Sequence, residues 1–341
     1  MPAARLAVLA GALVALTWAA PGAEAAPRVL RATIQLPLTS PLGANLVAFK
    51  ERVEAASAGA IKVELYPSAQ LFTDREVPAA VASGQIEMGV ASLARFAGTI
   101  PAVDIFNVPF LLNTEALVRA ATEPGSPVRD PLDQAMTAIG ARPLWWQPYG
   151  LSVMMLRGTE PPRLPADLKG LKIRTYGKAL EGFVNALGAA ATNVSGERQY
   201  LAYERGMVDG GMTGLFSVKE RKIYQVLHSL TFTNHSDIEF VVVINERLWQ
   251  QLDDGERELL SQAARAVEVE LRDDFAALEA EALEEAIAGG MAVHRLSEDE
   301  LAAWRRATAP LEQAYLDEAG PLGVELVAAA RQLRAELGAD D

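Results

Sequence analysis

Arg174 closes the short run Leu171-Lys172-Ile173-Arg174, where a strand gives way to a helix. A guanidinium in that place has two readings. Burying it is costly unless an internal Asp or Glu pairs with it. Alternatively it holds a ligand carboxylate through two parallel charge-assisted hydrogen bonds, at a strand end of the kind where open α/β sheets bind ligands. The residues alone leave both open. Catalytic machinery is missing around it. His228, His235 and His294 lie far apart, with no His or carboxylate at metal-ligand spacing on a helix. There is no Gly-x-Ser-x-Gly elbow and no phosphate loop, and the glycine-rich stretch 206–214 lacks dinucleotide spacing. Zero Cys excludes disulfides, thiolate zinc sites, iron–sulfur ligation and cysteine nucleophiles. No cofactor, no metal and no catalytic residue are expected, and the balance favours binding over catalysis.

The elements that must position Arg174 follow from periodicity. Leu30 to Gln35 alternates apolar and polar, as a half-buried strand does. Ser40-Pro41 caps a helix carrying Leu42, Leu46, Phe49 and Val53, closed by Gly59. Ile61 to Tyr66 alternates again. Thr73-Asp74-Arg75-Glu76 has capping-box form and predicts a helix to Gly84, with Pro78 as a local conflict. Ile86 to Ala91 reads as the next strand. The order strand, helix, strand, helix, strand specifies an α/β fold with right-handed crossovers. Further on come the strand 171–174, a helix over 178–187, and a second helix from Ser195 to Gly206. Phe240 to Ile244 has the continuous apolar character of a strand buried on both faces. Glu256 to Ile287, without Gly or Pro, predicts one long helix or two abutting ones. Its recurrent acids read as a solvated face. Met291 to Leu296 predicts a last strand, and the capping box at Ser297 opens helix to about Leu337.

The chain has 341 residues, 50% of them hydrophobic, and a formal net charge of −13. That size suits roughly two domains, and the acidity argues against a nucleic-acid partner. Met1 to Arg5, the apolar run Leu6 to Ala20 and Ala23-Glu24-Ala25 have the form of an export signal, cleaved near Ala25 or Ala26. No later run reaches the roughly 18 apolar residues of a membrane span. The mature chain is expected to be periplasmic, not membrane-embedded, and without a lipidated N-terminal cysteine.

Five stretches in register resemble the periplasmic solute-binding proteins of TRAP transporters, the DctP type. They are Phe49 to Leu71 with its Tyr66-Pro67-Ser68-Ala69-Gln70; Ala94-Arg95-Phe96 followed by Val108-Pro109-Phe110-Leu111; Asp167 to Arg174; Tyr200-Leu201-Ala202 leading to Gly206-Met207-Val208-Asp209-Gly210; and Thr233-Asn234-His235. The resemblance implies a two-lobed (Venus-flytrap) α/β binding protein with hinge crossings and a long helix across both lobes. After a signal peptide over 1–26, lobe 1 takes 27–149 plus about 239–278. Lobe 2 takes 150–238 plus about 279–341. The implied function is capture of a small organic acid and its delivery to the membrane subunits of a TRAP permease. Rivals are a receptor for another importer or sensor class and a periplasmic enzyme.

The resemblance assigns Arg174 to the ligand carboxylate. Arg95, Ser92, Gln35 and Thr213 match positions that contact ligand. Asp74 can be carried over too, although its capping box offers a structural explanation. Trp145 to Tyr149 is expected to end a strand near the hinge, with Tyr149 and Gln147 facing the cleft, and Phe216 to line the pocket. His235 is expected to be structural. The family's second arginine after the hinge glycine is missing, since Gly150 is followed by Leu151-Ser152-Val153-Met154. Gly196 stands where a bulky residue is common, and Thr213 where an asparagine is. These departures point to a less polar site and a monocarboxylate ligand.

Overall fold

The structure, a computed structural model, describes residues 26–338. The expected export signal lies outside the described residues. The first segment runs β1 (Arg28–Thr33), α1 (Pro41–Ala56), β2 (Ile61–Tyr66), α2 (Val77–Ser83) and β3 (Met88–Ser92). Ser40 Oγ accepts the Gly43 N–H, and Leu42, Leu46, Phe49 and Val53 are all buried under α1. The Thr73 box differs from expectation. Thr73 donates through its N–H and hydroxyl to the Glu76 carboxylate, and the helix starts only at Val77. Pro78 therefore falls in the first turn, where no intrahelical N–H is required, and its conflict disappears.

The chain continues through α3 (Glu115–Thr122), α4 (Arg129–Ala138), β4 (Ala141–Leu156), β5 (Lys172–Thr175), α5 (Lys178–Ala186), β6 (Ala190–Asn193), α6 (Gln199–Glu204) and β7 (Gly210–Gly214). It ends with α7 (Phe216–Glu220), β8 (Ser229–Phe232), β9 (Asp237–Asn245), α8 (Glu246–Gln251), α9 (Asp254–Ala288), β10 (Ala292–Arg295), α10 (Glu298–Thr308) and α11 (Pro310–Glu336). Strand order is β2-β1-β3-β9-β4-β7-β5-β6, with β8 between β4 and β10. One strand joins the two halves of this sheet. Residues 141–151 of β4 pair antiparallel with β9, and residues 152–156 pair with β7 and β8. The strand end expected at Trp145–Tyr149 is absent. β4 passes through that segment with an irregularity between Pro148 and Gly150, where Gly150 takes φ +94°. A bulge at a left-handed glycine re-aims the strand without terminating it.

Helix α9 spans 35 residues from an Asp253–Glu256 capping box and packs on α1, β4 and α7, so it reaches both sheet halves. Helix α10 sits beside α5, with Trp304 Nε1 donating to the Arg163 carbonyl. Helix α11 packs against the first segment of the chain. Its Tyr315, Leu326, Val327 and Ala330 share a core with Ile105, Phe106 and Leu117 of the first segment. Tyr315 also donates its hydroxyl to Ala102 O. The apolar stripe of α11 follows the surface that can bury it, not the chain's most recent lobe.

Beneath α9 lies a buried ion network. Glu239 of β9 takes both Arg272 Nη atoms, at 3.0 and 3.2 Å, and Glu268 takes Arg129. The Arg129 and Glu268 side chains are 4% and 3% exposed. Removing one member of such a pair leaves a buried charge unpaired. Glu268→Ala should therefore lower the urea-unfolding free energy by about 3–5 kcal/mol. A loss no larger than for the exposed pair Arg52–Glu270 would contradict this account.

Candidate functional site

Where the two sheet halves meet, the carboxyl ends of β1, β3, β5 and β7 surround a cavity with an empty volume of about 310 Å³. Seven of the nine residues singled out from the sequence line it: Gln35, Asp74, Ser92, Arg95, Tyr149, Arg174 and Thr213.

Arg174 is 3% exposed. Its Nε donates to the Val194 carbonyl at 2.8 Å and its Nη1 to the Met212 carbonyl at 3.0 Å. Its guanidinium carbon stands 5.2 Å from the Tyr176 ring centre. No carboxylate among the described residues pairs with it, so the internal ion pair that the sequence left open does not exist. Burial pulls its pKa down from the ordinary arginine value, and the neighbouring Arg221 and Arg95 add to that. The backbone carbonyls leave Nη2 free for a carboxylate. Gly211 on the adjacent strand makes room: a Cβ there would stand 3.0 Å from Arg174 Cβ and 2.2 Å from the Tyr203 hydroxyl.

Arg95 has a different status. Its Nε donates to Asp74 Oδ2 at 2.6 Å, and its Nη1 crosses to the Tyr176 carbonyl at 3.0 Å. Asp74, 1% exposed, also accepts the Ser92 N–H and hydroxyl at 2.8 and 3.0 Å. Its explanation is therefore this buried cluster, not the helix cap suggested by the Thr73–Glu76 pattern. The Asp74 carboxylate neutralises Arg95, which becomes a strut between β3 and β5.

Gln147 and Phe216 do not line the cavity. Gln147 is fully buried and turns into α1, where its Nε2 donates to Leu42 O and Asn45 Oδ1. Phe216 lies behind Tyr149, its ring 4.4 Å away at a steep angle, and Phe240 packs on Tyr149 from another side. Phe216 supports the wall without being part of it.

Sequence reasoning missed Arg221, Tyr176 and Gln199. Arg221 follows α7, donates to the Gly196 carbonyl, and keeps a buried Nε without a partner. In the run Lys219-Glu220-Arg221-Lys222 it looks like any solvated charge. The usable signal was its position one short helix beyond β7, whose end faces the cleft. Arg221 corrects the expectation of a less polar site, because it brings a second guanidinium without a carboxylate. Gly196 is explained as well: a Cβ there would lie 2.7 Å from Gln35 Oε1 and 3.2 Å from Arg221 Nη2. Gln35 Oε1 is itself buried without a partner. The site therefore joins two uncompensated guanidiniums, an unpaired amide oxygen and an aromatic wall, which suits an oxygen-rich anion.

The sequence profile of DctP, described as bacterial extracellular solute-binding protein family 7, matches residues 33–318. The chain belongs to this family. The C4-dicarboxylate-binding periplasmic protein DctP of Rhodobacter capsulatus is 28% identical over 92% of this chain and 93% of its own length. A TRAP periplasmic solute-binding protein from Ralstonia eutropha, solved with bound (S)-2-acetolactate, superposes with a TM-score of 0.83 at 26% identity, covering 90% of this chain and 99% of that one. One from Desulfovibrio salexigens, solved with orotic acid, gives 0.83 at 25% identity, with 91% and 99% covered. The α/β architecture is the two-lobed one of these receptors. Proteins of the DctP family are periplasmic, and among the described residues no helix is long and apolar enough to cross a membrane.

His235 stands outside the cavity. It is 1% exposed, bonds Thr233 Oγ1 through Nδ1 at 2.8 Å and stacks on Phe183 at 4.0 Å. Burial depresses its pKa from 6.5 to about 3. Between those values the unfolded chain binds the extra proton, so stability falls as pH drops from about 6.5 towards 3. Urea midpoints measured across that window should fall more steeply for the native chain than for His235→Gln, which has no ring to protonate.

Proposed function

We propose that the protein is the extracytoplasmic receptor of a TRAP-type importer that clasps a small monocarboxylate on Arg174 and passes it to the membrane permease. The buried Arg174 guanidinium without a carboxylate carries this reading. A ligand carboxylate accepting from Arg174 would complete the charge pair that the fold leaves open. Arg221, Gln35 and Thr213 then face the rest of the ligand, which calls for a hydroxyl or keto oxygen beside the carboxylate. The walls of Tyr149, Tyr176 and Phe240 suit a compact apolar body. The bound acids of the Ralstonia and Desulfovibrio relatives, one carboxylate each, support that class.

Closure follows from where the groups come from. Gln35, Asp74 and Arg95 stand on the segment 27–149, and Arg174, Thr213 and Arg221 on 150–238. A ligand touching both groups binds the closed form better than the open one, and that difference shifts the equilibrium. The bodies divide near Gly150 and Asp237 to Glu239, with α11 assigned to the first. The net charge of −13 repels anions at long range, so capture depends on the local positive potential of the cleft.

A thermal-shift screen of hydroxy, keto, aromatic and dicarboxylic acids tests the reading. A monocarboxylate should give a saturable shift, with about 2.7 kcal/mol of added stability at 100 times Kd. Arg174→Ala should abolish the shift, and Arg174→Lys should leave a weaker one, since an ammonium cannot bind bidentately. Hits confined to dicarboxylates would overturn the monocarboxylate, and an undiminished shift in Arg174→Ala would overturn the clamp.

A further inference from the structure

A second cavity, with an empty volume of about 430 Å³, lies beside the start of β9 where β4 passes between the sheet halves, under α3 and α9. It shares no lining residue with the organic-acid cleft. Val118, Leu151 and Phe275 form apolar walls, and Asp237 and Glu279 enter it as carboxylates. Asp237 is 3% exposed, and its Oδ2 is buried without a hydrogen-bond partner. Glu279 has no ion pair or hydrogen bond among the described residues. The two arginines at the cavity are engaged elsewhere, Arg119 with Asp273 and Arg272 with Glu239. Neither arginine hydrogen-bonds Asp237 or Glu279, and a buried carboxylate calls for a cation or a donor. Among the described residues no group of three or more acidic or histidine side chains is placed to hold a metal ion. The apolar walls offer a surface for a carbon body beside the charge.

We propose that this hinge cavity is a second ligand site, for a small primary ammonium ion whose head lies between Asp237 and Glu279 and whose methylenes lie on Phe275 and Leu151. Three N–H donors suit two carboxylates, and an apolar stem suits the walls. The titration of the acids agrees. Burial raises Glu279 to about 7, with Glu115 adding to it, and pushes Asp237 well above the usual carboxylate range. The charged groups facing them are Glu115 and Arg119 of α3, Glu239 of β9 and Arg272 of α9. An ammonium ion replaces the proton that Glu279 holds, so binding should strengthen as pH rises through 7. The occupant also touches the hinge: a Cβ on Gly150 would stand 2.5 Å from Glu279 Oε1 and 3.0 Å from Phe275 Cζ.

The test is calorimetric titration of the full chain with n-butylammonium chloride at constant ionic strength, with 1-butanol as the uncharged counterpart. Saturable binding of the ammonium ion, tighter at higher pH and about tenfold weaker in Glu279→Gln and Asp237→Asn, is expected. Glu279 is only partly buried, so its variant stands if the Asp237 variant fails to melt cooperatively. Absence of saturable binding, equal binding of 1-butanol, or unchanged affinity in Glu279→Gln would overturn the proposal.

Discussion

A buried guanidinium without a counter-charge is the constraint on which the cleft is built. Taking Arg174 out of water costs several kcal/mol unless other groups replace its hydration. The fold replaces part of it with two backbone carbonyls, Val194 O and Met212 O, and with the face of Tyr176. Val194 directly follows β6 and Met212 lies within β7, so the parallel arrangement of β6, β5 and β7 holds the side chain in place. Gly211 must stay small for the same reason. What remains uncompensated faces the cavity, and a receptor for anions can be built on that remainder even in a chain of net charge −13. The Asp74–Arg95 pair shows the contrast. There the charge is already neutralised, and the arginine serves as a strut.

The second constraint is continuity. β4 runs through both sheet halves, β9 pairs along the first part of it, and α9 lies across both. A hinge made of continuous strands bends only where backbone geometry permits it. Gly150, with its left-handed φ and the register irregularity before it, is such a place. The Glu239–Arg272 pair fastens α9 to β9, and the Glu268–Arg129 pair fastens it to α4. Asp237, with its Oδ2 unsatisfied, and Glu279 border the same point.

Much of the fold was legible in the chain because its signals are local. Ser40-Pro41, the alternation of Ile61 to Tyr66 and the unbroken apolar run Phe240 to Ile244 each depend on neighbours a few residues away. Errors arose where a local pattern had a distant competitor. Thr73 to Glu76 has the residues of a helix cap, but Asp74 is drawn to Ser92 and Arg95. Trp145 to Tyr149 looks like a strand end, yet burial on both sides lets β4 run on to Leu156. The partner surface of helix α11 was not legible either, because its apolar residues are buried against the distant first segment.

The site divides in the same way. The family resemblance singled out Arg174, Arg95, Gln35 and Ser92, and their places at or just after strand ends are consistent with one opening, because parallel strands point their carboxyl ends the same way. The sequence by itself thus determined the α/β class, the long helix and the edge of the sheet where the cleft lies. Tertiary structure alone decided that Gln147 faces α1, that Phe216 stands behind Tyr149 and that Arg221 enters the cleft. It also decided which arginine already has its carboxylate. Those outcomes depend on the direction of single side chains and on contacts between segments far apart in the chain. Periodicity carries no information about either.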